Sequence, residues 1–109
     1  MPIISGRVEN EILFISIAGD IDMFTSGITK KELWNSIQNK KLEGVRVDLR
    51  DCNYIDSSGI GILISFIKLL KKSGTTVWVE GTNEKILTTL KLAGLEKLFL
   101  GFNYESDKK

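Results

Sequence analysis

The chain of 109 residues reads as an α/β protein: a mostly parallel sheet of about 4–5 strands, an N-terminal hairpin, and three main helices packed on the sheet. Three observations predict this. Strand and helix patterns alternate through the middle of the chain, giving the order β-β-α-β-α-β-α-β. Val45, Val47 and Leu49 alternate with Arg46, Asp48 and Arg50, the period of a strand with one buried face. The chain also opens on two strands rather than on β-α, which counts against a receiver-type or dinucleotide-binding sheet.

Ile3 to Val8 and Ile12 to Ala18 are the strands of that hairpin, joined by the polar Glu9-Asn10-Glu11. Gly19-Asp20-Ile21-Asp22 closes the second strand with acidic loop residues. Thr25 or Ser26 then caps a helix running to about Lys40, with Leu33 and Ile37 on one face and Trp34 beside it as a core or rim residue. The strand ending in Val45 to Leu49 leads into Tyr54-Ile-Asp-Ser-Ser-Gly-Ile-Gly-Ile-Leu-Ile-Ser-Phe66, which turns from strand to helix at Asp56 and stays helical to Lys72. Gly74-Thr-Thr is a turn, and Val77-Trp78-Val79 is a strand. Thr82 or Asn83 caps a helix lined by Ile86, Leu90 and Ala93 and stopped by Gly94. Leu98-Phe99-Leu100 reads as a last short strand. Residues 1–102 make a single domain and 103–109 a frayed polar tail.

Composition narrows the function. The chain is 42% apolar and 27% charged with a net charge of +1, so it can bury a core. No basic run is longer than a pair such as Lys71-Lys72 or the terminal Lys108-Lys109, too little for a dedicated nucleic-acid or anionic-membrane surface. The uncharged apolar run from Ile60 to Ile67 falls far short of the roughly 20 residues needed to insert across a bilayer. The N-terminus lacks the pattern of a secretory signal, and the expected location is cytoplasmic. Cys52 is the only cysteine and there is no histidine, which removes internal disulfides, multi-cysteine zinc sites and Ser-His or Cys-His nucleophiles. No cofactor is expected.

The junction at Asp56-Ser57-Ser58 carries the chemistry. A hydrolase elbow needs Gly-x-Ser-x-Gly and a base, and Ser57 has neither. Gly59-Ile-Gly61 lacks the Lys and Ser/Thr of a phosphate loop, so close packing of helix on sheet is its preferred reading. The carboxylates Asp20, Asp22, Asp48, Asp51 and Asp56 read mostly as loop caps, with Asp20 and Asp22 placed to border Ser57. Modification fits best: at a helix N-terminus a phosphoryl group on Ser57 is tolerated by the N–H groups and the dipole, while the added charge beside Asp20, Asp22 and Asp56 changes what can bind. On the following helix Ile60, Leu63, Ile64 and Ile67 face the sheet. Ile62, Phe66 and Leu69 form a second apolar flank beside Gly61, Ser65 and Lys68, either a docking surface or part of a wide buried stripe.

The stretch Tyr54-Ile-Asp-Ser-Ser-Gly-Ile-Gly-Ile-Leu resembles the signature of the STAS family, the anti-sigma factor antagonists and related domains of sulphate transporters. Gly19-Asp-Ile-Asp22, Val45 to Leu49 and Ala93-Gly-Leu-Glu-Lys-Leu-Phe99 extend the likeness over nearly the whole chain. The resemblance implies a non-enzymatic, phosphorylation-controlled binding protein. In such antagonists the serine after the signature Asp, here Ser57, is phosphorylated by a partner that is both anti-sigma factor and serine kinase. A PP2C-like, metal-dependent serine phosphatase reverses this. The unmodified form sequesters the kinase and frees the sigma factor. Ser58 ranks below Ser57 as acceptor, and Asp22 would help recognise the kinase. The implied partner surface comprises Asp22, Asp56, Ser57, Ser58, Gly59, Ile60, Gly61, Ile62, Ser65 and Phe66. Relatives often end in a further amphipathic helix, whereas no apolar periodicity follows Phe102 here. The family's breadth keeps a second reading open: a regulatory subunit of a transporter or lipid-trafficking ATPase, or a signalling scaffold. Weak self-association is also left open.

Overall fold

A computed structural model of the chain describes residues 2–92 and 94. The expected strand at Leu98 to Leu100, the place of Ala93 on its helix and the tail at 103–109 lie outside the described residues. The order is β1 (Ile3–Glu9), β2 (Ile12–Ile21), α1 (Ser26–Ile37), β3 (Gly44–Asp48), β4 (Cys52–Ile55), α2 (Ser57–Lys72), β5 (Thr76–Gly81) and α3 (Glu84–Leu92). The sheet runs β1-β2-β3-β5, with β4 pairing to β2. Among the described residues only the β1–β2 pair is antiparallel. Asn10 and Glu11 close that hairpin with φ of 51° and 66°, the left-handed pair that matches the twist of the flanking strands.

One strand was expected from Val45 into the signature, and the structure has two. β2 is long enough to serve both: Ile12 to Ser16 pair with β3, and Gly19 to Ile21 pair with β4 past an irregularity at Gly19/Asp20. The break between β3 and β4 is held from both sides. Asp48 accepts the Arg50 N–H at 2.9 Å, and the side-chain amide of Asn83 donates to the carbonyls of Arg50 at 2.9 Å and Cys52 at 2.8 Å. Carbonyls that a continuous ladder would have used are thus satisfied by a side chain. Asn83 also caps α3 by accepting the Ile86 N–H at 3.0 Å, which decides between the two expected caps.

Leu13, Ile15, Ile17 and Ile21 of β2, Val45 and Val47 of β3, and Val77 and Val79 of β5 are buried with Leu33 of α1 and Leu63, Phe66, Ile67 and Leu70 of α2. The outward alternation leaves Phe14 and Trp78 half-buried, with the Arg46 guanidinium 4.6 Å from the Trp78 ring centre and paired to Glu80 at 2.8 Å. α1 starts where expected but stops at Ile37, short of Lys40, because Gln38 turns extended with ψ 133° and Asn39 then takes a left-handed φ of 60°. Trp34 is a rim residue, its ring 5.5 Å from that of Phe66.

Candidate functional site

Two chain segments meet where β2 and β4 end side by side. Ile21 pairs with Ile55, and the Asp56 N–H donates to the Ile21 carbonyl at 3.2 Å. From there one chain turns into α1 through residues 22–25 and the other enters α2. Asp20, Asp22 and Ser57 therefore do share one end of the sheet.

The cap of α2 is Asp56, not Ser57. Its backbone is extended, its Oδ1 accepts the Gly59 N–H at 3.0 Å, and its carbonyl accepts the Ile60 N–H at 2.9 Å. The second carboxylate oxygen accepts the Met23 N–H at 3.0 Å, so one side chain satisfies both a helix start and the neighbouring loop. Ser57 and Ser58 are then the first two helical residues, and both are exposed. Among the described residues neither hydroxyl has a hydrogen-bond partner. Their N–H groups fall within the first turn, where an α-helix leaves its donors free and its dipole attracts negative charge.

Asp22 closes its own loop. Its Oδ1 accepts the N–H groups of Phe24 at 2.9 Å and Thr25 at 3.1 Å, and its own N–H donates to the Thr25 hydroxyl at 3.0 Å. The Thr25 hydroxyl in turn donates to the Asp20 carbonyl at 3.0 Å. Thr25 thus stands at the head of α1 but spends its side chain on the loop before it.

The docking residues expected on α2 divide sharply. Phe66 is 1% exposed and packs on Trp34 of α1, Gly59 lies against Ile21 and Ile55 of the sheet, and Ile60 is buried too, so these three are core and not surface residues. The second apolar flank is divided: α1 covers Phe66 through Trp34, Ile62 is half-buried and Leu69 is exposed. Between its first and last turns α2 presents Gly61, Ser65, Lys68 and Leu69 outward, with Ile62 and Ile64 half-buried. The two glycines also differ. A Cβ on Gly59 would run into the Ile21 carbonyl oxygen and lie 2.8 Å from Ile55 Cγ1, whereas one on Gly61 would meet nothing within 4 Å. Close packing on the sheet accounts for Gly59 alone.

Sequence reasoning missed Met23 and Phe24. They are 66% and 85% exposed on the loop that Asp56 holds beside the start of α2. Two apolar residues after Gly-Asp-Ile-Asp read naturally as the approach to a core helix. Only the direction in which Asp22 and Thr25 turn the chain puts them outside.

Cys52 is buried, its Sγ donating to the Tyr54 carbonyl at 3.5 Å. Burial, aided by the nearby Asp20 charge, pushes its thiol up to about 11. It is therefore protonated at neutral pH and a poor nucleophile.

The model of the STAS domain matches residues 4–107. The anti-sigma-B factor antagonist of Bacillus subtilis is 28% identical over 90 residues, covering 83% of this chain and 80% of that protein. The anti-sigma F factor antagonist of Paenibacillus polymyxa is 26% identical, covering 80% and 74%. Among solved structures, an anti-sigma factor antagonist from Mycobacterium paratuberculosis superposes with a TM-score of 0.78 at 20% identity, covering 91% of this chain and 83% of that one. The antagonist SpoIIAA in its unphosphorylated form gives 0.70 at 15% identity, covering 87% and 82%. With its mostly parallel sheet, leading hairpin and Asp-capped signature helix, the chain belongs to the STAS domain family.

Proposed function

We propose that this protein is a cytoplasmic anti-sigma factor antagonist working as a phosphorylation switch. In its unphosphorylated form it binds an anti-sigma factor serine kinase and so releases the sigma factor. Phosphorylation of Ser57 ends that binding, and a PP2C-like serine phosphatase restores it.

The observation that carries this reading is the Ser57 hydroxyl, exposed at the first helical position, unengaged by the described protein, and relieved of capping duty by Asp56. A residue so placed can be modified without dismantling the fold. A phosphoryl group would lie over the free N–H groups of the first turn. It would add about −1.5 to −2 of charge next to Asp56 and on the rim that carries Asp20 and Asp22. A partner fitted to a neutral hydroxyl there would meet bulk and repulsion. Relatives named as anti-sigma factor antagonists support the same conclusion, as does a structural neighbour solved in a phosphorylated form. The role is one of binding, not turnover: the chain has no histidine to activate Ser57, and Cys52 is buried.

The test is capture from native lysate with wild-type, Ser57→Ala and Ser57→Asp baits. The first two are expected to retain a kinase-type anti-sigma factor and the third to lose it. Because Asp56 is the cap, neither substitution should unfold the protein. Equal capture by all three baits would overturn the switch, and recovery of only transporter or scaffold proteins would point to a different role for the domain.

A further inference from the structure

We infer that Met23 and Phe24 are the apolar anchor by which the protein engages its anti-sigma factor, seated in a hydrophobic pocket of that partner with a basic rim. This deepens the function proposed above and rests on it.

An exposed Phe and Met side by side need a reason, and the described residues supply none. The turn they occupy is closed by the Asp22 carboxylate and the Thr25 hydroxyl, and the neighbouring anchors in the core are Ile21, Thr29 and Leu33. The loop is nonetheless held firmly. Phe24 donates its N–H to Asp22, and Met23 donates its N–H to the same Asp56 carboxylate that caps α2 and presents Ser57. The apolar pair and the modifiable hydroxyl therefore keep a fixed spacing, as two parts of one contact surface would require. Ile28, in the first turn of α1 and four residues beyond Phe24, is also exposed, at 42%.

Charge and shape narrow the occupant. The charged residues where β2 ends and the two segments leave the sheet, Asp20, Asp22 and Asp56, are all acidic, so the complementary surface is basic around an apolar centre. A second copy of this chain would bring the same acidic rim and repel. Gly61, one turn beyond Ser57, is exposed and has room for a side chain that it lacks. That leaves space for a partner's backbone to approach α2. A rigid aromatic side chain at the centre of such a surface is the usual carrier of binding energy.

The experiment measures affinity for the anti-sigma factor recovered with the wild-type bait, purified, by calorimetric titration in a Ser57→Ala background that prevents phosphorylation during the run. Adding Phe24→Ala is expected to weaken binding about 30-fold or more, with the urea midpoint unchanged because the ring is exposed. Met23→Ala is the second variant and is expected to weaken binding to a lesser degree. Phe24→Leu should recover most of the affinity. If Phe24→Ala and Met23→Ala both bind within about threefold of the parent, well short of a hot-spot effect, the anchor is refuted, even if Ser57→Asp still abolishes binding and leaves the switch intact. If Ser57→Asp binds normally, or no such factor is recovered, the proposed function fails and the anchor with it. If sedimentation shows the parent to be a dimer that Phe24→Ala dissociates, the patch is a self-contact and the inference is overturned.

Discussion

The Oδ2 atom of Asp56 accepts a hydrogen bond from the backbone N–H of Met23 at 3.0 Å, although 33 positions separate the two residues. The other oxygen of the same carboxylate accepts the Gly59 N–H at 3.0 Å. Removing this side chain costs a helix cap and a loop tether together. Asp56→Ala is expected to destabilise the protein by about 1–2 kcal/mol in urea unfolding. Asp56→Asn should cost less, because Asn caps as well as Asp, but it has one acceptor oxygen for two donors. A neutral outcome for Asp56→Ala would mean that neither bond stabilises the fold.

The glycines of the signature helix should respond in opposite directions. Gly61→Ala adds a methyl group to open space at a helical position and is expected to stabilise by up to about 1 kcal/mol. Gly59→Ala pushes a methyl into the Ile21 carbonyl and the Ile55 side chain, and is expected to destabilise by about 1–3 kcal/mol. Thermal unfolding of the two single variants checks both signs.

Phe66 separates the core of α2 from its surface. With 1% exposure and a ring neighbour in Trp34, Phe66→Ala should cost about 3–5 kcal/mol of stability. Ser65→Ala, one residue back on the exposed side, should change stability by less than about 0.5 kcal/mol. Denaturant titration of the pair reads the rotation of the helix directly. Comparable costs would mean that the helix is rotated from the orientation described.

Cys52 makes stability fall in alkali. Its folded-state thiol is raised from 9.0 to about 11, chiefly by burial. Above pH 9 the unfolded chain releases this proton while the folded protein keeps it, so the stability present below pH 9 is progressively lost as pH rises toward 11. The loss due to this group is about 2–3 kcal/mol at about 1.4 kcal/mol per unit. Urea midpoints of wild type and Cys52→Ala between pH 8 and pH 11, read as a difference in slope, isolate it. Equal slopes would remove the thiol as the cause.

The Asn10-Glu11 turn holds a non-glycine residue at φ 66°. A left-handed residue with a Cβ is strained by about 1–2 kcal/mol, and glycine relieves that strain while adding entropy to the unfolded chain. Glu11→Gly should therefore stabilise by about 0.5 kcal/mol, visible as a small rise in Tm.

Much of this architecture was legible because its signals are local. The alternation of Val45, Val47 and Leu49, the polar turn at 9–11 and the apolar-to-polar junction at Asp56 each depend on neighbours within a few residues. Backbone sterics, strand period and capping act over that range. Such short-range signals carried the α/β class, the hairpin, three helices and the serine at the head of α2, and the residue inventory ruled out histidine chemistry. Tertiary structure decided what depends on distant partners. The break between β3 and β4 needs Asn83, 31 residues beyond Cys52, to satisfy the freed carbonyls. That Phe66 is core and Ser65 is surface was settled by how α2 rotates against Trp34 and the sheet. The pairing of Ile21 with Ile55 brought Met23 to Asp56 and left Phe24 in solvent. Burial and long-range hydrogen bonds are properties of the closed packing, so no local pattern in the chain records them.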